Sequence, residues 1–211
     1  MKHKFIVVEG NIGSGKTSLS LLLAEKYQTG ILLEKFIDNP FLPKFYQEPE
    51  RFAFSVETAF LAERYHQFQK EFMPLRDRGL PVISDYSFYK SLIFAQENLE
   101  PSEFELFSNL FQIINKQLPQ PQLFVYLHNG ADQLLQNIKK RNREFELDLS
   151  DTYLNKIARG YFRFMNEATG LRYLVIETDN LDFVGNSEDF EWVNALIQQD
   201  YPYGITRVRK G

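Results

Sequence analysis

The residues with the clearest chemistry lie near the N-terminus, directly after a short apolar run. Phe5-Ile6-Val7-Val8 is typical of a buried strand, and the residues that follow fit the pattern G-x-x-x-x-G-K-[ST]. In such a loop, backbone N–H groups surround a phosphate, the lysine reaches the outer phosphates and the hydroxyl can ligate magnesium. A helix predicted from Ser18 to Lys26 directs its positive end at the same anion. The motif predicts a nucleoside triphosphate site at Gly10, Asn11, Ile12, Gly13, Ser14, Gly15, Lys16, Thr17 and Ser18.

Two carboxylates are predicted to end strands and to point into the same cleft. Glu34 ends the apolar run from Ile31, where it can align a hydroxyl and accept its proton during phosphoryl transfer. Asp85 ends the run from Pro81, the expected place for an acid that holds magnesium directly or through water. The alternatives are a solvated loop carboxylate for Glu34 and a helix N-cap for Asp85.

A basic run, Lys139-Lys140-Arg141-Asn142-Arg143, follows a helical stretch and precedes an acidic segment. Such runs are often solvated surface. Beside a phosphate loop, we interpret this one as a lid over about 139–150, whose guanidinium groups close over the transferring phosphate and exclude water. Arg141 and Arg143 are therefore predicted to take part in catalysis.

Strand-length apolar runs alternate with helical patterns along the chain, which indicates an α/β fold with a parallel sheet flanked by helices. Five strands are predicted, and their carboxyl ends form the edge where ligands bind. They are Lys4–Glu9, Ile31–Glu34, Pro81–Asp85, Leu123–His128 and Tyr173–Glu177.

Helices are predicted between these strands. One long helix runs from about Arg51 to Phe72, and a later helix opens with a capping box between Ser102 and Glu105. The later helix has one apolar face, which we assign to the core, with a dimer contact as the alternative. That face comprises Phe107, Leu110, Phe111, Ile114 and Leu118.

Composition narrows the class of protein. The 211 residues fit one domain, 1–211, and the absence of cysteine excludes disulfides and suggests a cytoplasmic location. No segment approaches membrane-spanning length. The net charge is −4 without a long basic stripe, so a nucleic acid polymer is not the expected partner. A small anion is.

Together these residues resemble the deoxynucleoside kinase family over nearly the whole chain. The resemblance lies in Gly10–Leu19, in Glu34–Tyr46 with its Asn39-Pro40, in Asp85, in Arg141–Glu146 followed by Tyr153-Leu154, and in Glu188-Asp189-Phe190. It implies a P-loop kinase fold, transfer of phosphate from ATP with Mg²⁺ to the 5′-hydroxyl of a deoxynucleoside, and a homodimer joined through the helices between the third and fourth strands.

The resemblance also implies roles for individual residues. Glu34 matches the proposed base, and Asp85 matches the magnesium acid, which has itself been assigned as the base; we favour Glu34. Tyr46 and Glu146 match the pair that holds the sugar 3′-hydroxyl. The matches to Arg141 and Arg143 come from the lid, and those to Glu188, Asp189 and Phe190 from the loop that holds adenine.

Departures from the family pattern bear on rate and specificity. Tyr86 stands where the family usually has an arginine in contact with phosphate and the base carboxylate, and Ser91 stands where an aspartate commonly pairs with the arginine at Arg64. By these matches, Arg64, Tyr86 and Ser91 are predicted to belong to the substrate site. Glu57 replaces a glutamine that pairs with the nucleobase edge. A carboxylate offers only acceptors and guanine offers two adjacent donors, so a purine, with deoxyguanosine first, is the expected substrate. The alternative is a Glu57–Arg64 salt bridge without a base contact.

Two other functions fit parts of the sequence. A nucleotide kinase of the thymidylate kinase type shares the phosphate loop and lid, and a non-catalytic nucleotide-binding regulatory module would explain Tyr86. Retention of Glu34, Asp85 and the lid arginines argues against the regulatory module, and extra cleft-facing arginines would mark the thymidylate kinase type.

Overall fold

A parallel sheet of six strands forms the centre of the protein in the computed structural model, which describes residues 1–35 and 39–211. The strand order is β2-β3-β1-β4-β5-β6, and each neighbouring pair is parallel. The strands are β1 (Phe5–Gly10), β2 (Gly30–Leu32), β3 (Val82–Ser84), β4 (Leu123–His128), β5 (Arg172–Glu177) and β6 (Gly204–Arg209). Residues 36–38, within the Glu34–Tyr46 segment of the resemblance, lie outside the described residues.

The predicted α/β class is confirmed, but the predicted number of strands was wrong. The additional strand, β6, lies at the edge of the sheet, where it pairs with β5 from Arg172↔Gly204 to Glu177↔Arg209. None of its residues is buried, and its arginines and threonine interrupt the apolar pattern. An edge strand of this kind lacks the continuous apolar run that identifies an internal parallel strand.

The helices follow the strands in the alternating order that parallel pairing requires. A short π-helical segment, Phe68–Phe72, occupies the C-terminal end of the long helix predicted from about Arg51 to Phe72, and a further short α-helix follows it. The α-helices are α1 (Lys16–Tyr27), α2 (Leu42–Gln47), α3 (Pro49–Gln67), α4 (Met73–Asp77), α5 (Tyr89–Asn98), α6 (Pro101–Asn115), α7 (Ala131–Arg141), α8 (Asp151–Glu167) and α9 (Ser187–Ile197).

The hydrophobic core lies on both faces of the sheet. Along β1, Phe5 and Val7 join one buried cluster, and Ile6 and Val8 join the other. Successive side chains of a strand point to opposite faces, so burial on both sides requires the uninterrupted apolar sequence seen here. The sheet therefore holds the strand ends in a rigid, buried frame.

Helix α6 begins earlier than predicted. Pro101 occupies its first turn and Glu100 is the N-cap, with the capping box formed between Glu100 and Glu103 rather than Ser102 and Glu105. Proline is favoured at the first helical position, and the N-cap accordingly lies two residues upstream of Ser102. On this helix Phe107 and Phe111 are buried, as predicted for the core.

Part of the predicted apolar face of α6 is exposed instead. Leu110 is 43% exposed, and its neighbours Leu106 and Ile113 are more exposed, at 62% and 61%. These three residues recur at four- and three-residue spacing and form one strip on the surface of the helix.

None of the helices described here combines the length and hydrophobicity needed to cross a membrane.

Candidate active site

The phosphate loop links β1 to α1 with the backbone that the glycine pattern predicts. Gly13 and Gly15 have φ of 82° and 86°, a left-handed conformation that residues with a side chain rarely adopt. The N–H of Ser14 donates to the carbonyl of Asn11 at 3.2 Å, and the Lys16 ammonium donates to the same carbonyl at 3.3 Å. Helix α1 starts at Lys16, so its N-terminal N–H groups face the loop.

Hydrogen bonds with two distant helices hold the loop from outside. Asn137 of α7 donates its amide to the carbonyl of Gly13 at 2.8 Å. Asn11 donates its own amide to the carbonyl of Leu154 in α8 at 2.7 Å. The loop is thus fixed in shape before any anion binds, which lowers the entropic cost of binding one.

Thr17, Asp85 and Glu34 converge beside this loop. The Thr17 hydroxyl donates to Oδ2 of Asp85 at 2.5 Å, and the backbone N–H of Glu34 donates to Oδ1 of Asp85 at 2.7 Å. Burial raises the pKa of Asp85 above its ordinary value. A hydroxyl and a carboxylate are the oxygen ligands that magnesium prefers, so this pair fits a magnesium ion that takes its other ligands from phosphate and water.

Glu34 is held from two sides by cations. Arg64 donates from Nε and Nη2 to Oε1 at 3.1 and 2.6 Å, and Lys90 donates to Oε2 at 2.5 Å. Burial alone would raise the pKa of Glu34, but the charges of Lys90 and Arg64 outweigh it and hold that pKa well below the ordinary value. Glu34 is therefore an ionised, oriented acceptor.

These groups line one common cavity. Polar and charged groups occupy one part of its wall, and aliphatic and aromatic side chains the rest. The apolar lining consists of Ile12, Leu42, Phe45, Val56, Phe60 and Phe94. Burial and the neighbouring Lys90 lower the pKa of Lys16 to about 8, so the loop lysine still carries most of its charge at neutral pH.

Glu57 is a buried carboxylate on the wall of this cavity. Asn98 donates to its Oε1 at 2.8 Å, whereas its Oε2 has no hydrogen-bond partner among the described residues. Burial raises the pKa of Glu57 to about 7, against the opposing effects of the Asn98 hydrogen bond and the Arg64 charge. The expected alternative, a Glu57–Arg64 salt bridge, is not formed here, because Arg64 pairs with Glu34.

The predicted sugar and lid residues meet on the same wall. Both Arg141 and Arg143 donate to the carboxylate of Glu146, which is buried at the end of a short 3₁₀ helix, Glu144–Glu146. The ring of Tyr46 stacks on Phe145 at 6.2 Å between centroids, and all four predicted residues line the cavity. The structure thus brings Tyr46, Glu146, Arg141 and Arg143 together.

The remaining predicted residues lie away from the cavity wall. Ser91 accepts from Nη1 of Arg64 at 2.8 Å and so supports the arginine from behind. The ring of Tyr86 is fully buried in the core against Phe68, and its hydroxyl donates to Gln67 at 2.8 Å. This burial gives the phenol a packing role in the structure, so the predicted substrate contact of Tyr86 gains no support from its position.

Glu188, Asp189 and Phe190 form the first turn of α9. Asp189 accepts from Lys210 at 2.6 Å and from the N–H of Asp182 at 2.8 Å, which closes the segment leading into the helix. Within that segment the ring of Phe183 packs so closely on Gly15 that a Cβ there would lie 2.9 Å from it. The segment therefore adjoins the phosphate loop, although its residues are absent from the cavity wall.

Three polar residues in or beside the site were missed by sequence reasoning. Lys90 and Asn98 contact Glu34 and Glu57, and Glu9 accepts from the N–H of Ser87 at 2.7 Å and from Tyr161 at 2.8 Å. Burial raises the pKa of Glu9. A lysine among the buried positions of the first half of α5 was the available signal, since a buried lysine requires a partner.

A phosphate loop at the end of a parallel sheet, facing a cavity that holds a hydroxyl acceptor and several cations, defines a phosphotransferase of the P-loop class. The family model for deoxynucleoside kinase matches residues 6–200. The chain belongs to the deoxynucleoside kinase family, as the resemblance predicted. It is an enzyme that phosphorylates a deoxynucleoside, and membership of a kinase family implies ATP as the phosphate donor.

Curated relatives support this assignment. The chain is 35% identical to a deoxyguanosine kinase of Bacillus subtilis (strain 168) over 199 residues, which cover 92% of this chain and 96% of the relative. It is 30% identical to a deoxyadenosine kinase of Lactobacillus acidophilus over 195 residues, covering 86% and 88%. These relatives differ in the nucleobase that their names give.

The fold matches a solved structure of the same kind. A deoxyadenosine kinase from M. mycoides with bound dCTP aligns with a TM-score of 0.78 and 18% identity, covering 92% of this chain and 98% of that one. At this identity the likeness concerns the fold. It confirms the α/β kinase architecture on which the cavity is built.

Proposed function

We propose that this protein is a deoxyguanosine kinase that uses ATP and Mg²⁺. The environment of Glu57 is the observation that supports guanine as the nucleobase. This carboxylate is only 3% exposed on the cavity wall, and one of its oxygens has no hydrogen-bond partner among the described residues. A buried acceptor of this kind favours a ligand that supplies donors, because leaving it unpaired costs about 1–3 kcal/mol.

Guanine supplies those donors at one edge. N1–H and N2–H₂ lie side by side and match the two oxygens of an ionised carboxylate, whereas adenine and cytosine place one donor beside an acceptor. Opposite either of these bases, an ionised Glu57 meets a lone pair and loses a hydrogen bond. Asn98 fixes the orientation of the carboxylate through Oε1, which favours readout by Oε2.

The phosphoryl group is proposed to pass from ATP, bound at the phosphate loop, to a 5′-hydroxyl placed at Glu34. Phosphoryl transfer has a loose transition state, so it depends mainly on alignment and on charges around the transferring group. Lys16, with Arg141 and Arg143, is proposed to stabilise that charge, and Glu34 to align the hydroxyl and receive its proton. The pKa of Glu34 is strongly lowered, so its carboxylate is a weak base. A weak base suits a transfer in which the hydroxyl loses its proton late.

Magnesium is proposed to bind at Thr17 and Asp85. Their oxygens are already within hydrogen-bond distance of each other, so one ion can meet both together with phosphate oxygens. Bound there, the ion would offset the negative charge of the triphosphate.

The sugar and the adenine complete the proposal. Tyr46 and Glu146 are assigned to the 3′-hydroxyl, which suits their shared wall with Glu34. Glu188, Asp189 and Phe190 are assigned to the segment that holds adenine, next to the phosphate loop through Phe183.

A homodimer is proposed through the exposed strip of Leu106, Leu110 and Ile113, which would bury apolar surface that water now contacts.

The nucleobase proposal is tested by measuring kcat/KM for the four deoxynucleosides in the wild type and in Glu57→Gln. We expect the wild type to prefer deoxyguanosine by about tenfold or more and the variant to shift toward deoxyadenosine or deoxycytidine. Glu63→Gln is the matched control, since Glu63 lies on the same helix and does not line the cavity. The same order of preference in wild type and Glu57→Gln would exclude Glu57 as the base-reading residue.

A further inference from the structure

The two oxygens of Glu34 are held by different partners. Both bonds from Arg64 end on Oε1, and Lys90 donates to Oε2. A carboxylate held at Oε1 alone can still turn about its terminal bond. The second contact at Oε2 therefore sets the plane of the carboxylate.

Lys90 is built to stay in place. It lies in the first turn of α5 and is buried, and its ammonium sits 5.4 Å from the ring centroid of Phe94, one turn further along the same helix. A buried ammonium is costly unless it is paired, and Glu34 is the ion-pair partner that the described residues provide. The pair is fixed by packing and not only by charge.

The surrounding charges place Lys90 beside the reacting groups. The charge of Lys90 helps to lower the pKa of Lys16, and the charges of Glu9, Glu34 and Asp85 oppose this effect. Lys90 also lines the cavity together with Lys16, Thr17 and Glu34. It therefore faces the place where hydroxyl and phosphate must meet.

We propose that Lys90 is a positioning residue for phosphoryl transfer, which fixes Oε2 of Glu34 so that its remaining lone pair receives the 5′-hydroxyl. The proposal rests on the proposed role of Glu34. An oxygen that accepts one hydrogen bond from an ammonium retains capacity for a second donor, so Lys90 orients Oε2 without occupying it. Tyr86, the residue after Asp85, carries no positive charge, and its hydroxyl donates to Gln67 instead of to Glu34.

The first experiment measures kcat and KM for ATP and deoxynucleoside in Lys90→Met, Lys90→Gln and Lys90→Arg. Misplacing a reacting group by about 1 Å can cost about 100-fold, so we expect kcat to fall about 10- to 100-fold in Lys90→Met and Lys90→Gln. KM for ATP should stay within about twofold, and Lys90→Arg should recover most of kcat because a cation again reaches Oε2. A kcat unchanged in Lys90→Met, or a loss confined to KM for ATP, would overturn the proposal.

Lys2→Met is the matched control. Lys2 also makes a 2.5 Å bond to a carboxylate, that of Asp200. This pair is exposed and is not among the residues that line the cavity. Kinetics of this variant should equal those of the wild type. Circular dichroism and thermal unfolding of each variant identify a folding defect, and Lys90→Gln, which keeps a polar end, remains to test the idea if Lys90→Met fails to fold.

The second experiment is a double-mutant cycle with Glu34→Gln. If Lys90 acts through Glu34, adding Lys90→Met to Glu34→Gln should lower kcat by less than about threefold more, whereas independent effects would multiply. Full multiplication would overturn the positioning role and assign Lys90 to another step. Full turnover by Glu34→Gln alone would instead refute the proposed role of Glu34, so the two failures are distinguishable.

Discussion

Raising the pH from about 6 to about 8 should increase the preference of the wild-type protein for deoxyguanosine, because Glu57 titrates within this window. Burial raises the pKa of Glu57 to about 7, so the carboxyl is mainly protonated below that pH and mainly ionised above it. The ionised form offers acceptors to N1–H and N2–H₂ of guanine. The protonated form offers one donor beside one acceptor, which matches adenine or cytosine.

The size of the effect follows from the ionised fraction. For a pKa of about 7, that fraction rises from about 0.1 at about pH 6 to about 0.9 at about pH 8. Because kcat/KM reports the ionisation of the free enzyme, kcat/KM for deoxyguanosine should rise about ninefold, and that for deoxyadenosine should fall by a similar factor. Their ratio should therefore change by up to about 80-fold.

The ratio of the two constants is the quantity to measure. Lys16, with a pKa of about 8, titrates near the upper end of the window, but it acts on the phosphate and so affects both substrates alike. The charged groups around Glu57, namely Arg64, Lys90 and Glu34, are paired with one another throughout. In Glu57→Gln the ratio should be flat across the window. A flat ratio in the wild type as well would refute the reasoning.

Three further predictions concern catalysis, packing and assembly. Lys16→Ala should weaken triphosphate binding and turnover together. Glu34→Gln should keep both substrate affinities, measured by calorimetry, and lose about 100-fold in kcat. Retained turnover in Glu34→Gln would contradict the proposed role of Glu34. Tyr86→Phe should destabilise the protein by about 1–3 kcal/mol in denaturant unfolding, because Gln67 loses its buried donor, and should leave kcat nearly unchanged. Leu110→Glu should shift sedimentation from dimer to monomer, with Lys2→Met as an unaffected reference; an unchanged sedimentation coefficient would exclude the α6 strip as the contact.

The sequence predicted best those features that local residues determine. The phosphate loop was predicted because its glycines, lysine and threonine lie within eight successive positions, Gly10–Thr17, and its backbone angles follow from the glycines. The approach of Asp85 to Thr17 followed from a general property of parallel sheets, whose strands end at one edge. Position along a buried strand was therefore enough to bring these groups together.

Features that depend on long-range partners escaped prediction. Lys90 and Glu34 are 56 positions apart, and nothing near either residue marks the other as its partner. The edge strand β6 gains its hydrogen bonds from β5 instead of from an apolar pattern of its own. Tyr86 was compared with a family arginine by position alone, whereas burial against Phe68 decides where its side chain goes.

The contacts of the phosphate loop with α7 and α8 make the arginine-bearing segment a separable module. Asn137 holds the loop four residues before Arg141, and Leu154 holds it shortly after α8 begins, so both ends of the intervening chain are anchored to the same loop. Residues 142–150 can therefore be lengthened, shortened or exchanged between relatives while the anchors stay fixed. Such chimaeras would change how the guanidinium groups reach the cavity and would leave the triphosphate cradle as it is.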